Sequence, residues 1–314
     1  MSVADTDPAA GRPDAPPWPE DVLARWYDGP VQRAGRTHPT VVHPLASDTR
    51  VVVEPVDADL DTELLEGGHP HLGRLRSASP RMHDGPLVVF VDADGGVVRC
   101  RRSGYFAMVA TCDAVRAELV GAGAAAGTDA LPLRRRAHEV AGDPLASGTG
   151  RAAAIGVSVV LTVPGEQGRS ALVGRRSSRV AIDPGMWHVA PSGMLEPSPG
   201  DAVAATVATE LAEEVGVRLA REDVASRLTV LGLAHDLLRL RPDLCVRLDL
   251  RADEAPPTGA LPRDGEFDEM SQVLLTPEGL DHFWTRHPPG ALTPAAAGAL
   301  ALTEVGNAPA PGDP

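Results

Sequence analysis

PSGMLEPSPGDAVAATVATELAEEVGV, residues 191–217, contains three glutamates, Glu210, Glu213 and Glu214, at helical spacings of three and four. On a helix those spacings crowd the carboxylates onto one side. Like charges so placed cost roughly 0.2–0.5 kcal/mol per pair, and no Lys or Arg lies within one turn on the N-terminal side to offset them. A bound hard cation would supply the missing charge. The helix is well signalled: Ser198, Pro199, Gly200 and Asp201 read as a capping box with proline at the first helical position, and Gly216 as a left-handed C-cap. Between them Val203, Val207, Leu211 and Val215 recur every four residues and mark a buried stripe, with the glutamates on its flank.

Residues 210–217, ELAEEVGV, resemble the end of the Nudix box, whose family pattern runs G-x5-E-x7-R-E-U-x-E-E-x-G-U with U a bulky aliphatic. The chain departs from that pattern in four places. Thr209 stands where the family has arginine, Asp201 where it has the middle glutamate, Ser192 and Gly193 replace a paired glycine, and the loop 193–201 is two residues longer. The resemblance implies an α/β (α+β) fold, a Nudix-type α/β/α sandwich with a mixed curved sheet, over residues 149–305. It implies a pyrophosphohydrolase acting on phosphorus-containing anhydrides with Mg²⁺ or Mn²⁺. Glu210 and Glu214 would anchor the metal with the Gly193 carbonyl, Glu213 would join them, and Glu213, Glu214 or a later glutamate would serve the catalytic step.

Outward from the helix, residues 153–163 form a continuous apolar strand, 164–169 a turn, and 170–176 a second strand ending in Arg175 and Arg176. The run Arg175, Arg176, Ser177, Val180, Pro184, Gly185, then Pro191, Ser192, Gly193, Glu196, Pro197 is similar to the UDP-sugar hydrolase branch, which also has a lengthened box. A nucleoside diphosphate, a nucleotide sugar among them, is therefore the expected small-molecule partner. Alternation sends Arg175 and Arg176 to opposite faces; Arg176 either grips a phosphate or makes a surface ion pair. Trp187 either stacks on a base or plugs the core, and His188 is read as structural. Residues 227–234 and 244–250 read as strands separated by a charged turn around Arg241, Pro242 and Asp243, and 264–270 as an acidic loop from which Glu266 or Glu269 reaches the metals or stays solvated. Helices are expected from Thr276 and over 293–305. Two other functions remain open: a nucleotide-binding regulatory protein of the same fold without turnover, and an allylic diphosphate isomerase, which would need a cysteine that the box region lacks.

The rest of the chain bounds the answer. Its 314 residues exceed one ordinary domain, and at 3% aromatic against 43% hydrophobic its cores are built of Val, Leu and Ala. A net charge of −14 argues against nucleic acid or an anionic membrane as partner. Cys100, Cys112 and Cys245 have neither pairing nor ligand spacing and read as buried small hydrophobes in a reduced, cytoplasmic setting. No apolar run approaches the ~20 residues of a membrane span. The division expected is a disordered tail (1–20), an N-terminal α/β extension (21–148), the hydrolase-like domain (149–305) and a disordered tail (306–314). Within the extension, 50–56 and 86–91 read as strands, Asp92 to Gly96 as a hairpin turn, the segment after Thr111 as a helix, and Arg134, Arg135 and Arg136 as a solvated charge run.

Overall fold

The computed structural model describes residues 23–122, 130–180, 182–256 and 265–307. The tail 1–20, Ala181, the glycine-rich stretch 123–129, Asp264 of the acidic loop and the end of the chain from 308 lie outside them.

The first half opens with a small hairpin, β1 (Gln32–Arg33) and β2 (Arg36–Thr37), followed by β3 (Thr40–Pro44). A three-stranded sheet follows, of β4 (Arg50–Asp57), β5 (Pro86–Asp94) and β6 (Val97–Gly104) in the order β4-β6-β5. The hairpin expected over Asp92 to Gly96 is present, but Asp92 to Asp94 still belong to β5 and the turn itself is Gly95 and Gly96, both at positive φ as a tight turn requires. The helix α1 (Thr62–Ala78), capped by Asp61, was not predicted; Gly67, Gly68 and Pro70 obscure its pattern. Gly68 has a positive role, since a Cβ there would run into the Ala110 carbonyl where the next helical segment crosses. That segment runs without a break from α2 (Tyr105–Met108) through a π-turn (Val109–Asp113) into α3 (Ala114–Ala122), so Thr111, Cys112 and Asp113 lie inside a helix instead of capping one.

Helix α4 (Pro132–Ala141) corrects the solvated charge run. Arg134 is fully buried, donating to the Leu237 and Leu238 carbonyls and the Tyr27 hydroxyl at 2.8 Å each, while Arg136 pairs with Asp61 at 2.7 Å. Those carbonyls belong to a buried turn with no ladder partners, and a guanidinium fork satisfies them.

The second half is the expected sandwich. Among the described residues an eight-stranded mixed sheet contains β7 (Gly156–Gly165), β8 (Gly168–Arg176), β9 (Trp187–Val189), β10 (Ser192–Met194), β11 (Leu228–Asp236), β12 (Arg241–Asp249) and β13 (Phe267–Leu274), together with β3 from the first half. Its path is β13-β8-β7-β12-β11-β3, with β7 and β12 parallel and β9 and β10 on the flank. Along β7, Val157, Val159, Leu161 and Val163 face the core that takes Val203, Val207 and Leu211 of α5 (Ala202–Glu210), and Val160 faces the other way. Each such side chain contributes roughly 1.5–3 kcal/mol on burial. The short α6 (Arg221–Arg227) lies beside α5. On the opposite face α7 (Pro277–Arg286) and α8 (Pro294–Asn307) cover Ala171, Val173, Ala234 and Cys245 with Leu280, Phe283, Trp284, Ala297 and Leu300.

Two further expectations need correction. The β11–β12 turn is Leu237 to Leu240, all four nearly fully buried, and Arg241, Pro242 and Asp243 lie within β12. Of the expected acidic loop, Phe267 to Met270 lie instead in β13, where Phe267 pairs with Arg176. The first core also crosses position 148: Val88, Phe90, Val98 and Met108 pack in one cluster with Val157 and Leu244. All three cysteines are buried and free, as expected.

Candidate functional site

One end of the large sheet is where β7, β12 and β13 begin and where β8 and β11 finish. A cavity of about 260 Å³ opens there, lined by Glu210 at the end of α5, Gly193 of β10, Arg176 of β8, Asp236 of β11, Arg241 and Asp243 of β12, and Glu266 just before β13. Chain order alone spreads these residues over 90 positions; the sheet gathers them at one edge.

The helix that brings the glutamates in starts later than the sequence suggested. Asp201 is its N-cap, its side chain accepting from the Ala204 amide at 3.0 Å, and Pro199 and Gly200 stay in the preceding loop. After Glu210 the helix widens into a π-turn, Leu211–Val215, and ends on left-handed Gly216. This divides the three glutamates. Glu210 lines the cavity, Glu214 is only 1% exposed, and Glu213 points to solvent.

Glu214 is held by one oxygen: its Oε2 accepts from the Ser192 amide at 2.9 Å, while Oε1 is buried without a hydrogen-bond donor. Burial first, then the charges of Glu266 and Glu210, push its carboxyl well above the usual range, and a hydrogen bond with Glu266 adds to the rise. Gly193 completes the cradle, because a Cβ at that position would overlap the Glu210 carboxylate. These groups suit a hard divalent cation: a donorless buried carboxylate oxygen, neighbouring acids that repel one another, and a backbone that approaches closely. Among the described residues no three His, Cys, Asp or Glu side chains stand ready as a complete ligand cluster. Magnesium binding through one or two carboxylates, with waters and substrate phosphates filling the remaining positions, does not require one.

Arg176 enters the same cavity. It pairs with Glu266 Oε1 at 2.9 Å and donates from Nε to the Ile182 carbonyl at 3.0 Å. Arg175 points to the other face, as alternation requires, and meets Glu269 at 3.1 Å. Trp187 is directly opposite Arg175 in the β8–β9 register and so shares that face, with its ring against His287 at 5.2 Å. The structure therefore gathers Glu210, Glu214, Gly193, Glu266 and Arg176, and places Arg175, Trp187 and Glu213 away from them. His188 does reach the cavity. It bonds Thr293 Oγ1 at 2.6 Å, and burial, helped by Arg176, lowers its pKa to about 3, so it stands neutral.

The sequence reading missed the cavity's other wall. Arg239, in the buried turn, bonds Asp113 at 3.1 Å, Asp183 at 3.0 Å and Asp236 at 2.9 Å, and Arg116 of α3 adds a contact to Asp183 at 3.1 Å. Against the cost of burial, Arg239 and Arg116 hold the Asp183 carboxyl down at about 2. Through Asp113 and Arg116, the first half of the chain supports this wall. One signal was present: Leu237, Leu238, Arg239, Leu240 is too apolar for an exposed turn.

Residues 153–294 match the model of the NUDIX domain, just under half of the chain. Over that stretch the chain is similar to the NUDIX domain family. No curated protein matches the chain. Among solved structures, a MutT/nudix family protein from Enterococcus faecalis is 15% identical, covering 38% of this chain and 43% of its own at a TM-score of 0.29. The MutT protein from Methanosarcina mazei Go1 is 21% identical, covering 42% and 91% at 0.30. A bifunctional NMN adenylyltransferase/ADP ribose pyrophosphatase from Francisella tularensis, complexed with AMP and a Mn ion, is 13% identical, covering 48% and 40% at 0.31. The chain thus spans less than half the length of the first and third of these. Among the described residues no helix is long and apolar enough to cross a membrane.

Proposed function

We propose that this cavity hydrolyses the diphosphate of a nucleoside diphosphate joined to a second group, a nucleotide sugar being the favoured class. The observation that supports it best is Glu214, a buried carboxylate with one donorless oxygen, set against Glu210 and Glu266. Glu210, Glu214 and the Gly193 carbonyl would hold Mg²⁺ or Mn²⁺, whose contribution is Lewis-acid neutralisation of the diphosphate. Glu266 takes the proton of the attacking water while the anhydride P–O bond breaks, leaving two phosphate monoesters. Arg176, bonded to Glu266, orients that base and sits within reach of a phosphate oxygen in the same cavity. Neutral His188 fixes Thr293 and takes no proton. Glu213, in solvent, has no part in the step, and Trp187 is a packing residue of the opposite face.

The cavity's size supports a substrate that enters by its diphosphate, because about 260 Å³ lies just below the ~300–1,000 Å³ usual for sites that enclose a whole ligand. The buried free thiols fit a cytoplasmic setting. The test is to incubate the purified protein with Mg²⁺ or Mn²⁺ and nucleoside diphosphate sugars, ADP-ribose, dinucleotides and nucleoside triphosphates in turn. Chelator-sensitive release of phosphate monoesters is expected from at least one. Binding of a compound that survives intact at high protein concentration would instead make this a nucleotide-binding regulator.

A further inference from the structure

Two of the three guanidinium groups that line the cavity are matched by carboxylates, and Arg241 is not. Arg176 has Glu266, and Arg239 has three aspartates. Arg241 is 8% exposed and forms no ion pair among the described residues. Its Nη1 contacts only the Met194 sulfur, at 3.3 Å, and its Nε is buried with no partner. The closest acid along the strand, Asp243, is engaged by the Ser158 hydroxyl at 3.3 Å. A guanidinium taken out of water without a carboxylate is costly, and a sulfur acceptor returns little of that cost. Arg241 therefore stabilises the fold poorly where it stands, yet it borders the cavity that holds Glu210 and Glu266.

We infer that Arg241 is a substrate-binding residue, a planar fork that takes a phosphate oxygen of the diphosphate directly from the β12 side of the cavity. The identity of the ligand as a diphosphate rests on the proposed function, whereas the need for an anion rests on the unpaired guanidinium alone. The diphosphate would then be held from two directions, by the cation on the Glu210 and Glu214 side and by Arg241 without an intermediary. Such a site selects for substrates with two adjacent phosphoryl groups and discriminates against a single phosphate monoester, which can satisfy one holder only.

The probe is methylenediphosphonate, a diphosphate that cannot be hydrolysed, titrated calorimetrically into the full-length protein with and without Mg²⁺. Wild type binds it, Arg241→Met binds it at least about tenfold more weakly, and Arg241→Lys, which keeps the charge but loses the fork, falls between. Unliganded Arg241→Met melts at or above the wild-type temperature, because an unpaired buried charge has been removed. Equal binding by wild type and Arg241→Met overturns the inference, as does a wild type that does not bind. A Met variant that melts well below wild type or fails to fold overturns it too, since the guanidinium would then be a structural partner. The outcomes separate the two claims. Binding that depends on Arg241 in a protein that turns over no compound sinks the hydrolase reading alone, and turnover with a KM unmoved by Arg241→Met sinks the Arg241 assignment alone.

Discussion

Glu214→Gln should make the metal-free protein more stable and the metal-bound protein inactive. In the folded chain the carboxyl is 1% exposed, one oxygen lacks a donor, and Glu210 and Glu266 repel its charge. Glutamine keeps the acceptor for the Ser192 amide and offers an N–H where the carboxylate has nothing to give. Removing a buried, donorless carboxylate oxygen in this way is worth ~1–3 kcal/mol. At about 2–4 °C per kcal/mol the melting temperature should rise by ~2–12 °C. The sign with pH follows from the raised pKa. A folded carboxyl that holds its proton more tightly than the unfolded one loses stability as pH climbs from the ordinary glutamate value near 4.5 through its higher folded value. The variant's advantage should therefore vanish at pH 4 and grow toward pH 8. Differential scanning fluorimetry of both proteins over that range in chelator measures the gap, and adding Mg²⁺ should close it by stabilising wild type preferentially. A variant that melts below wild type at pH 8 in chelator, or a gap independent of pH, would refute the reasoning.

Arg134→Leu should destabilise by ~2–6 kcal/mol, since it orphans two buried carbonyls at ~1–3 kcal/mol each, out of a stability of ~5–15 kcal/mol. Chemical denaturation checks this, and a loss under ~1 kcal/mol would show that the turn finds other partners. Gly193→Ala should push the Glu210 carboxylate out of place and lower kcat by ~10–100-fold, with a folding cost of only ~1–3 kcal/mol; steady-state kinetics that match wild type would contradict it. Arg239→Met should cost ~3–5 kcal/mol by leaving Asp236 buried without an ion pair and Asp183 with Arg116 alone, measurable as a lower denaturation midpoint.

The parts of the molecule legible in sequence were those whose causes are local. The apolar period of residues 203–215, the strand 153–163 and the glycine turn after Asp94 each carry their own signal, whereas the sandwich was what the resemblance implied. Arg175 and Arg176 were correctly sent to opposite faces by alternation. Trp187 was not so readable, because its face depends on pairing with Arg175, a contact the sequence does not specify. The glutamate spacings were read as one cluster, but the π-turn changes the helical phase between Glu210 and Glu214, so that Glu213 swings outward. The turn was expected at Arg241 to Asp243 because apolar residues such as Leu237 to Leu240 rarely form one; Arg134, more than a hundred residues earlier, makes that turn tolerable inside the protein. Arg239 carries no signal of its own for the same reason, and Arg241, expected in a charged turn, instead begins β12.

The central claim is that Glu210 and Glu214 hold a divalent cation in the cavity at the sheet end. Titrating Mn²⁺ into wild type and into Glu210→Gln and Glu214→Gln, with the free ion followed by electron paramagnetic resonance, tests it most directly. The account predicts Mn²⁺ bound by wild type and lost, or weakened about tenfold or more, in both folded variants. Undiminished Mn²⁺ binding in both variants would contradict it.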